Sequence, residues 1–354
     1  KTALRSRAHI SSCLRKTEST AAFTADFLWI EVSRTESLIY SLNATMPVFL
    51  VIVIGYILNR MGMFTNGFIV SANKFIFNVC LPVMVFEDMA GTDIVDAFDG
   101  ALVLYSAAIT TAAFIVIWIC ARLFIKDRSI IGAFVQAGYR SSVAVMGFAF
   151  MKNIYGDTGL IPMIIIGCVP LYNIYAVTVL TFESEDAQND PDKKNKIKKA
   201  AAGIAKNPII IGIITGCIGS LIHIYDYMPQ ICSKTLGNLA AIATPLSLIV
   251  IGASFEGKKA IAKIKPTAVC SAIKLIAMPA IFLPLAILLG FRGNALVALT
   301  IMLGSPTTPS CYIMAKNMKN DGVLTSSVIA ATTLLSSVTL TFWIFLMKFL
   351  RYIT

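Results

Sequence analysis

Long apolar runs, separated by shorter polar segments, make up most of the sequence. A helix that crosses a lipid bilayer needs about 20 mainly apolar residues, and ten runs have approximately this length. They cover residues 38–58, 67–86, 101–125, 130–151, 159–182, 208–225, 236–255, 267–290, 294–315 and 323–347. The pattern predicts an all-α integral membrane protein with ten transmembrane helices.

Lysine and arginine alternate between rich and poor connecting segments along the chain. The segments after the odd-numbered runs contain sixteen basic residues, whereas those after the even-numbered runs contain only Lys152, Lys234 and Arg292. Because basic residues collect on the cytoplasmic side of a membrane protein, the odd-numbered segments are predicted to lie inside. Both ends of the ten-helix body then lie outside, in a multi-pass protein of the cytoplasmic membrane.

The polar stretches divide the chain into four segments. Residues 1–36 carry six basic residues and no long apolar run. We expect an N-terminal extension that is disordered or foreign to the native protein, with a cleaved targeting segment as the alternative. Residues 183–207 are too polar to pack as core and are predicted to form a cytoplasmic linker. This linker separates a first five-helix repeat, residues 37–182, from a second, residues 208–354.

The two halves carry similar residues at a nearly constant spacing. Pro47 in the first run corresponds to Pro208 in the sixth, 161 positions later, and Pro82 corresponds to Pro245, 163 positions later. The segment MKNIYGDTGL at 151–160 corresponds to AKNMKNDGVL, which begins 164 positions later. Because each half contains an odd number of helices, the halves run in opposite directions through the membrane. We therefore predict an inverted repeat.

The fourth and ninth runs contain residues that interrupt helices. The ninth reads LGSPTTPSCYIMAKN, in which Pro306 and Pro309 each remove a backbone donor and clash with the preceding turn. The fourth reads AGYRSSVAVMGFAFMKN, which places Ser142 opposite Pro306 in the repeat. Inverted-repeat carriers have their sites near the bilayer midplane, where broken helices expose backbone groups. We expect helices 4 and 9 to break and cross at such a site; the alternative is that both are only kinked.

Three cationic residues, and no carboxylate, lie well inside the apolar runs. Lys74 and Lys274 are close enough to a helix end for their long side chains to reach the interface. Arg140 lies near the midplane, where a charge is costly and usually marks a transport pathway. A guanidinium matches a carboxylate in bidentate geometry, so Arg140 predicts an organic anion as the ligand. The alternative partner is a backbone carbonyl or an acidic side chain at a helix end, Glu87 or Asp88.

The composition agrees with a membrane protein and excludes other classes. Of 354 residues, 57% are hydrophobic and 14% are charged, whereas soluble domains carry about 25% charged residues. The net charge of +11 therefore reflects topology and not a nucleic-acid partner. Two histidines and eight scattered cysteines, without a C-x-x-C pair, provide no catalytic, metal or cofactor site. We predict that the protein is not an enzyme and has no cofactor.

The same inventory leaves the energy coupling open. Proton relays in carriers usually run through buried Asp, Glu or His, and His223 lies near the outer end of its run, next to a connecting segment. Three alternatives follow from the sequence. Transport is passive, or a proton enters with a protonated substrate, or an edge residue such as Asp157 carries it.

The body of the chain, residues 37–352, resembles the auxin efflux carrier family, which includes the plant PIN auxin carriers. The similar segments are MPVFLVIVIGYILNRMGMF, NKFIFNVCLPVMVFEDMAG and SPTTPSCYIMAKNMKNDGVLTSSVIAATTLLSSVTLTFW, together with the linker. The resemblance implies ten helices in two inverted repeats, a crossing of broken helices 4 and 9, and a site there for small carboxylates such as malate, malonate or auxin. It also implies a scaffold of helices 1, 2, 6 and 7 and a homodimer.

The residues beside the two breaks form the candidate substrate site. By position, the resemblance places the ninth-helix break at residues 306–309 and the fourth near residues 141–147, where Ser-Ser and Gly-Phe-Ala-Phe replace the proline and asparagine of many relatives. The predicted substrate-binding residues are Arg140, Ser141, Ser142, Tyr172, Asn173, Pro306, Thr307, Thr308 and Pro309. Three further candidates are Asn73, Asn78 and Lys274.

These observations predict a secondary transporter that moves small organic anions across the cytoplasmic membrane by alternating access. Its partners are the anion, the lipid bilayer and a second copy of the chain. Two alternatives stay open at this point. One is a sodium-coupled organic-anion symporter of related fold, and the other is a transporter-like sensor that binds its ligand without moving it.

Overall fold

The computed structural model describes residues 42–43, 45–91, 99–155, 159–184 and 201–353, and every regular element in these ranges is helical. The predicted N-terminal extension, residues 1–36, lies outside the described residues, as do residues 185–200 of the predicted linker. Helices are numbered in chain order. They are α1 (Thr45–Arg60), α2 (Asn66–Ala90), α3 (Gly100–Phe124), α4 (Ile131–Tyr139), α5 (Val143–Tyr155), α6 (Ile161–Phe182), α7 (Pro208–Leu221), α8 (Gln230–Ala253), α9 (Ile264–Leu288), α10 (Gly293–Gly304), α11 (Ser310–Asn317) and α12 (Gly322–Phe349).

Six of these helices, α2, α3, α6, α8, α9 and α12, are long and apolar enough to cross a membrane. The all-helical membrane class predicted from the sequence is therefore confirmed. The other four predicted runs contain shorter helices: α1, the pair α4 and α5, α7, and the pair α10 and α11. In the described part of the chain, six helices are long enough to cross a membrane, and the count of ten spans stays a prediction.

Two close helix contacts occur at positions that correspond in the sequence repeat. Gly55 of α1 lies against the backbone of Ile249 in α8, so closely that a Cβ atom would collide with the carbonyl oxygen. Gly216 of α7 lies in the same way against α2, where a Cβ atom would be 2.9 Å from the carbonyl oxygen of Phe86. The glycines are 161 positions apart and their neighbours 163, the spacings of the proline pairs. The α1–α8 and α7–α2 contacts are therefore equivalent under the sequence repeat.

Both interrupted runs are broken into two helices. The chain leaves helical geometry after Tyr139, with Arg140 in an extended conformation, and α5 begins at Val143. The chain leaves helical geometry a second time after Gly304, where Ser305 is extended, and α11 begins at Ser310. Serine and proline are unfavourable in the interior of a helix, so the sequence at both breaks favours extended backbone.

The two breaks touch each other. The backbone N–H of Ser142 donates to the carbonyl oxygen of Pro306 at 3.0 Å, and these are the two positions paired in the repeat. The hydroxyl of Thr307 donates to the carbonyl oxygen of Ala137, near the end of α4, at 2.8 Å. Its backbone N–H donates to Oγ1 of Thr332 in α12 at 3.2 Å. These bonds satisfy backbone groups that the breaks leave without helical partners.

Helix α7 is one of the shorter apolar helices in the described part of the chain. It has 14 residues and ends at Leu221. His223 follows in a left-handed conformation, with φ of 49°, and starts the short helix Ile224–Tyr227. The hydroxyl of Tyr225 donates to Oε1 of Glu87 at 3.0 Å, which ties this segment to the end of α2.

Charged side chains join the connecting segments at one end of the molecule. Lys263, just before α9, contacts Asp321 at 2.9 Å and Asp127 at 3.4 Å. Asp321 also accepts a hydrogen bond from the backbone N–H of Leu324 at the start of α12. Three segments that the sequence predicts to be cytoplasmic are thus linked by one lysine.

Candidate functional site

A cavity of about 80 Å³ lies beside the crossing of the two breaks. Its wall combines apolar side chains of α2, α6 and α8 with polar groups of the breaks. The residues that line it are Leu81, Met84, Val85, Asp88, Arg140, Ser141, Ser142, Ala144, Val169, Tyr172, Asn173, Ala243, Thr244, Ser247, Thr308 and Ser310.

Arg140 is the central cation of this cavity. Its side chain is buried, with 5% of the residue exposed. One terminal nitrogen donates to Oδ1 of Asn173 at 2.7 Å, and the other lies 2.8 Å from the sulfur of Met314, a weak acceptor. Its Nε is buried and has no hydrogen-bond partner among the described residues. The guanidinium therefore keeps a donor that no atom in the described ranges satisfies.

The orientation of Asn173 is fixed by the helix that carries it. Its Nδ2 donates to the carbonyl oxygen of Val169, one turn earlier in α6, at 3.0 Å, so Oδ1 faces Arg140. The preceding residue, Tyr172, is also buried in the cavity wall, and its carbonyl oxygen accepts a hydrogen bond from the hydroxyl of Tyr139 at 3.0 Å. Helix α6 therefore holds the arginine through a neutral amide.

The start of α5 contributes a second source of positive potential. Ser141, Ser142 and Ala144, at the N-terminal end of this helix, all line the cavity. The first N–H groups of a helix lack intrahelical acceptors and carry a partial positive charge. The hydroxyl of Ser141 is also buried without a partner among the described residues. A guanidinium, a helix N-terminus and an unsatisfied hydroxyl thus converge on one small cavity, an arrangement suited to an anion.

Six of the predicted substrate-binding residues line this cavity: Arg140, Ser141, Ser142, Tyr172, Asn173 and Thr308. Pro306 and Thr307 do not line it and instead form the contact between the breaks. Pro309 does not line it either, and it precedes the first residue of α11. Six of the nine predicted residues thus come together at one cavity, whereas the division between lining and supporting residues required the structure.

The asparagines of α2 lie elsewhere. Asn73 is buried, and its Nδ2 donates to the carbonyl oxygen of Ile69 at 3.0 Å. Asn78 is exposed and bonds to the carbonyl oxygen of Lys74, one turn earlier. Neither lines the cavity, so the structure does not bring these two candidates to Arg140.

The two membrane lysines differ in their surroundings. Lys74 is exposed, as expected for a side chain that extends to the interface. Lys274 is completely buried, and its ammonium donates to the carbonyl oxygen of Leu303 at 2.8 Å. The interpretation that Lys274 extends to the interface is therefore wrong, because its side chain points at the end of α10.

Asp88 is a cavity residue that the sequence reasoning placed outside the membrane. The predicted second run ends at Phe86, but α2 continues to Ala90 and carries Asp88 into the cavity wall. An acidic side chain at a helix end, Glu87 or Asp88, was the alternative partner considered for Arg140, and this longer helix brings Asp88 into the same cavity wall. Thr244, Ser247 and Ser310 were missed; the signal that could have found them is their position within two residues of Pro245 or Pro309.

Comparison with known proteins identifies the family of the chain. A family model described as a membrane transport protein matches residues 40–344. The chain belongs to this family. The resemblance to auxin efflux carriers is thereby confirmed, and the matched range contains both breaks and every residue that lines the cavity. Membership in a family of multi-pass membrane transporters is also consistent with the prediction that the protein is not an enzyme.

Individual relatives cover nearly the whole chain at low identity. A protein of Methanothermobacter thermautotrophicus, named an uncharacterized transporter, is 21% identical over 304 residues, which are 86% of this chain and 97% of the relative. The uncharacterized transporter YfdV of Escherichia coli is 22% identical over 322 residues, 88% of this chain and 99% of the relative. A Rhizobium meliloti protein named "Putative malonate transporter" is 23% identical over 313 residues, 86% and 94% of the two chains.

Proposed function

We propose that this membrane transport protein is a secondary carrier that moves small organic anions by alternating access, with Arg140 as the main anion contact. The observation that carries the proposal is the buried guanidinium with an unsatisfied Nε in a cavity at the start of α5. Buried polar groups without partners are costly. A carboxylate in the cavity accepts from the guanidinium, from the first N–H groups of α5 and from the hydroxyl of Ser141.

The size of the cavity favours short acids. One water molecule needs about 10–15 Å³ of such space, so 80 Å³ holds several waters or an acid of a few carbon atoms. The relative named as a malonate transporter supports the same substrate class. Malonate and malate are therefore the first substrates to test, ahead of the larger indole-3-acetate.

We further propose that the body forms ten membrane crossings in two inverted five-helix repeats, residues 37–182 and 208–354, joined by the linker at 183–207. The equivalent glycine contacts, Gly55 with Ile249 and Gly216 with Phe86, support this arrangement, as does the occurrence of a break in both corresponding runs. The proposal includes external ends of the body, a cytoplasmic linker and a homodimer in the cytoplasmic membrane.

The test is uptake of radiolabelled malonate, malate and indole-3-acetate into proteoliposomes. Imposed gradients of voltage, pH or sodium identify the driving force and separate a uniporter from a sodium symporter. Replacing Arg140 with Gln removes the charge and most donors of the guanidinium, and uptake is expected to fall to background. The matched control is Arg60→Gln, at an exposed arginine at the end of α1.

Melting temperatures separate a defect of the site from a defect of folding. Equal melting temperatures for wild type and Arg140→Gln show that the protein is intact. Uptake by Arg140→Gln at the wild-type rate would remove the arginine from the site. Saturable binding of an acid without any flux would support a sensor and contradict the carrier.

A further inference from the structure

Lys274 is a fully buried lysine that does not line the cavity of the anion site. It lies in the π-helical segment Ile273–Ala277 of α9, and its side chain has no solvent exposure. Its ammonium is 2.8 Å from the carbonyl oxygen of Leu303 and 3.5 Å from that of Met302. Both carbonyls belong to the last turn of α10, which ends at Gly304 where the chain breaks. The lysine therefore occupies the C-terminal end of a half-helix inside the membrane body.

The end of α10 is a place where a cation is stabilised. The last carbonyl groups of a helix have no intrahelical donors and carry a partial negative charge. A buried charge needs compensating partners, and Lys274 forms no ion pair with any described carboxylate. In the described part of the chain, the ionisable side chains that act electrostatically on it are the thiols of Cys168, Cys270 and Cys311. The helix end is thus its main counter-charge.

The neighbouring structure holds the lysine in this position. The wide turn of a π-helix is frequent at functional sites, and Lys274 is the second residue of one. The carbonyl oxygen of the next residue, Leu275, accepts a hydrogen bond from the indole N–H of Trp343 in α12 at 2.9 Å. The π-helical segment is therefore anchored on one side to α12 while Lys274 reaches α10 on the other.

In carriers with broken helices, the C-terminal ends of half-helices commonly coordinate the coupling sodium ion or proton. We propose that Lys274 is a built-in cation that takes the place of such a coupling ion at the end of α10. This inference rests on the proposed function as a carrier. It assigns a positioning role to Lys274 and implies that wild-type transport needs no sodium, because the position for a dissociable cation is already filled.

The test exchanges the built-in cation for a free one. Lys274→Ala leaves space at the carbonyl groups of Met302 and Leu303, and Lys274→Met fills that space with an uncharged chain. Each full-length variant is reconstituted and assayed for malonate flux in choline, sodium or methylammonium medium. The matched control is Lys74→Ala, which removes an exposed lysine of another apolar helix.

Wild type and Lys74→Ala are expected to transport equally in all three media. Lys274→Ala is expected to lose flux about tenfold or more in choline, because carbonyl groups lose a charge-assisted partner. Sodium or methylammonium should restore most of it, since either cation reaches the vacated carbonyls. Lys274→Met should lose flux and regain none. If Lys274 has only a structural role, neither sodium nor methylammonium should selectively restore the flux of Lys274→Ala.

A second readout does not depend on transport. In the absence of any acid, sodium or methylammonium should raise the melting temperature of Lys274→Ala with increasing concentration, because a ligand that binds the folded state stabilises it. Wild type should show no such shift. If wild type moves no acid while the cation still stabilises Lys274→Ala, the proposed carrier function fails and the cation site stands.

Three outcomes would overturn the inference. They are a sodium requirement in wild type, wild-type flux in Lys274→Met, and a folded Lys274→Ala that neither cation rescues or stabilises. The melting curve of each variant before reconstitution separates loss of fold from loss of the cation.

Discussion

Arg140 is held by a neutral partner, which leaves its charge available. Asn173 accepts one hydrogen bond from the guanidinium at 2.7 Å but does not cancel the charge. A carboxylate at the same position would form a bidentate ion pair with the arginine. An acidic residue at position 173 would therefore compete with a substrate carboxylate for Arg140, in addition to Asp88, which lines the same cavity.

Replacing Asn173 with Asp should abolish most transport without harming the fold. A hydrogen bond to a charged group is worth about 1.5–3 kcal/mol, and 1.4 kcal/mol is about a factor of ten. Malonate uptake is therefore expected to fall about tenfold or more, while the new ion pair offsets the loss of the hydrogen bond from Nδ2 to the carbonyl oxygen of Val169, so that the variant stays folded. Initial uptake rates and thermal unfolding of the purified variant check this.

The control for the added charge is Asn66→Asp, at an exposed position at the start of α2, where an acidic residue is favourable. It should transport like wild type. Full activity in Asn173→Asp would contradict the role of a free guanidinium.

Single residues show which features of the site the sequence reveals. Arg140 was identifiable because its depth in an apolar run makes its charge costly. Asp88 was considered only as a residue beyond the second apolar run, because hydropathy marks the end of an apolar stretch, while the helix itself continues to Ala90. Lys274 was misinterpreted because sequence gives the depth of a side chain but not the neighbour that it faces. That neighbour, the end of α10, is distant in sequence and depends on how the helices pack.

Helices α1 and α8, and likewise α7 and α2, approach closely at glycines. At Gly55 and Gly216 a Cβ atom would meet backbone atoms of the neighbouring helix, which cannot move aside as a flexible side chain can. The absence of a side chain at these two positions allows direct backbone packing in the membrane.

Gly55→Ala and Gly216→Ala should each destabilise the protein by about 1–3 kcal/mol, the usual cost of overpacking. The expected observation is a lower melting temperature for both variants in detergent. Gly257→Ala serves as the control because a Cβ atom there meets nothing within 4 Å. Equal melting temperatures for all three variants would show that these contacts do not hold the helices together.

The helices themselves were largely predictable, and their interruptions partly so. Long apolar runs identify α2, α3, α6, α8, α9 and α12 because hydrophobic length is a property of the sequence alone. The break before α11 follows from Pro306 and Pro309, whereas the break before α5 has only two serines as its signal. The π-helical turns in α2 and α9 have no sequence signature, since they depend on contacts with other helices.

The connecting segments at the predicted cytoplasmic end are joined by Lys263. Its contacts reach Asp127, which precedes α4, and Asp321, which precedes α12. Hydrogen bonds from Ser129 lower the pKa of Asp127 below its usual 3.8, and the charge of Lys263 acts in the same direction. Partial burial opposes the charged form of Lys263, but Asp321 and Asp127 outweigh it and raise the lysine pKa above 10.5.

The pH dependence of stability follows from these directions. A carboxylate with a lowered pKa stabilises the folded state above its unfolded pKa, and this contribution disappears as the pH falls through the folded value. Asp127→Asn should therefore lower the melting temperature slightly at neutral pH, by the equivalent of about 0.2–1 kcal/mol for an exposed ion pair. The difference in melting temperature between Asp127→Asn and wild type should disappear below pH 3.8. A difference that persists in acid would mean that the carboxylate charge is not its source.

The orientation of the whole chain can be tested at Cys232. This residue is exposed near the start of α8, in a region that the distribution of basic residues places outside. Cys13 lies in the predicted N-terminal extension and is first replaced by Ser, so that it does not react. A membrane-impermeant maleimide should then label intact cells through Cys232. Labelling should be absent when Cys232 is also replaced by Ser. Reaction only after permeabilisation would reverse the predicted orientation.

The shortness of α7 has a consequence for the membrane around the protein. Fourteen residues rise about 21 Å, whereas a typical hydrocarbon core is about 30 Å thick. The exposed side of α7 is apolar, with Ile211, Ile214, Ile218 and Leu221 on its surface. Acyl chains that contact this face must compress to cover it, since hydrophobic mismatch is relieved by local thinning. The lipid beside α7 is therefore expected to be thinner than the lipid beside the six long helices, so that bilayer thickness varies around the circumference of the protein.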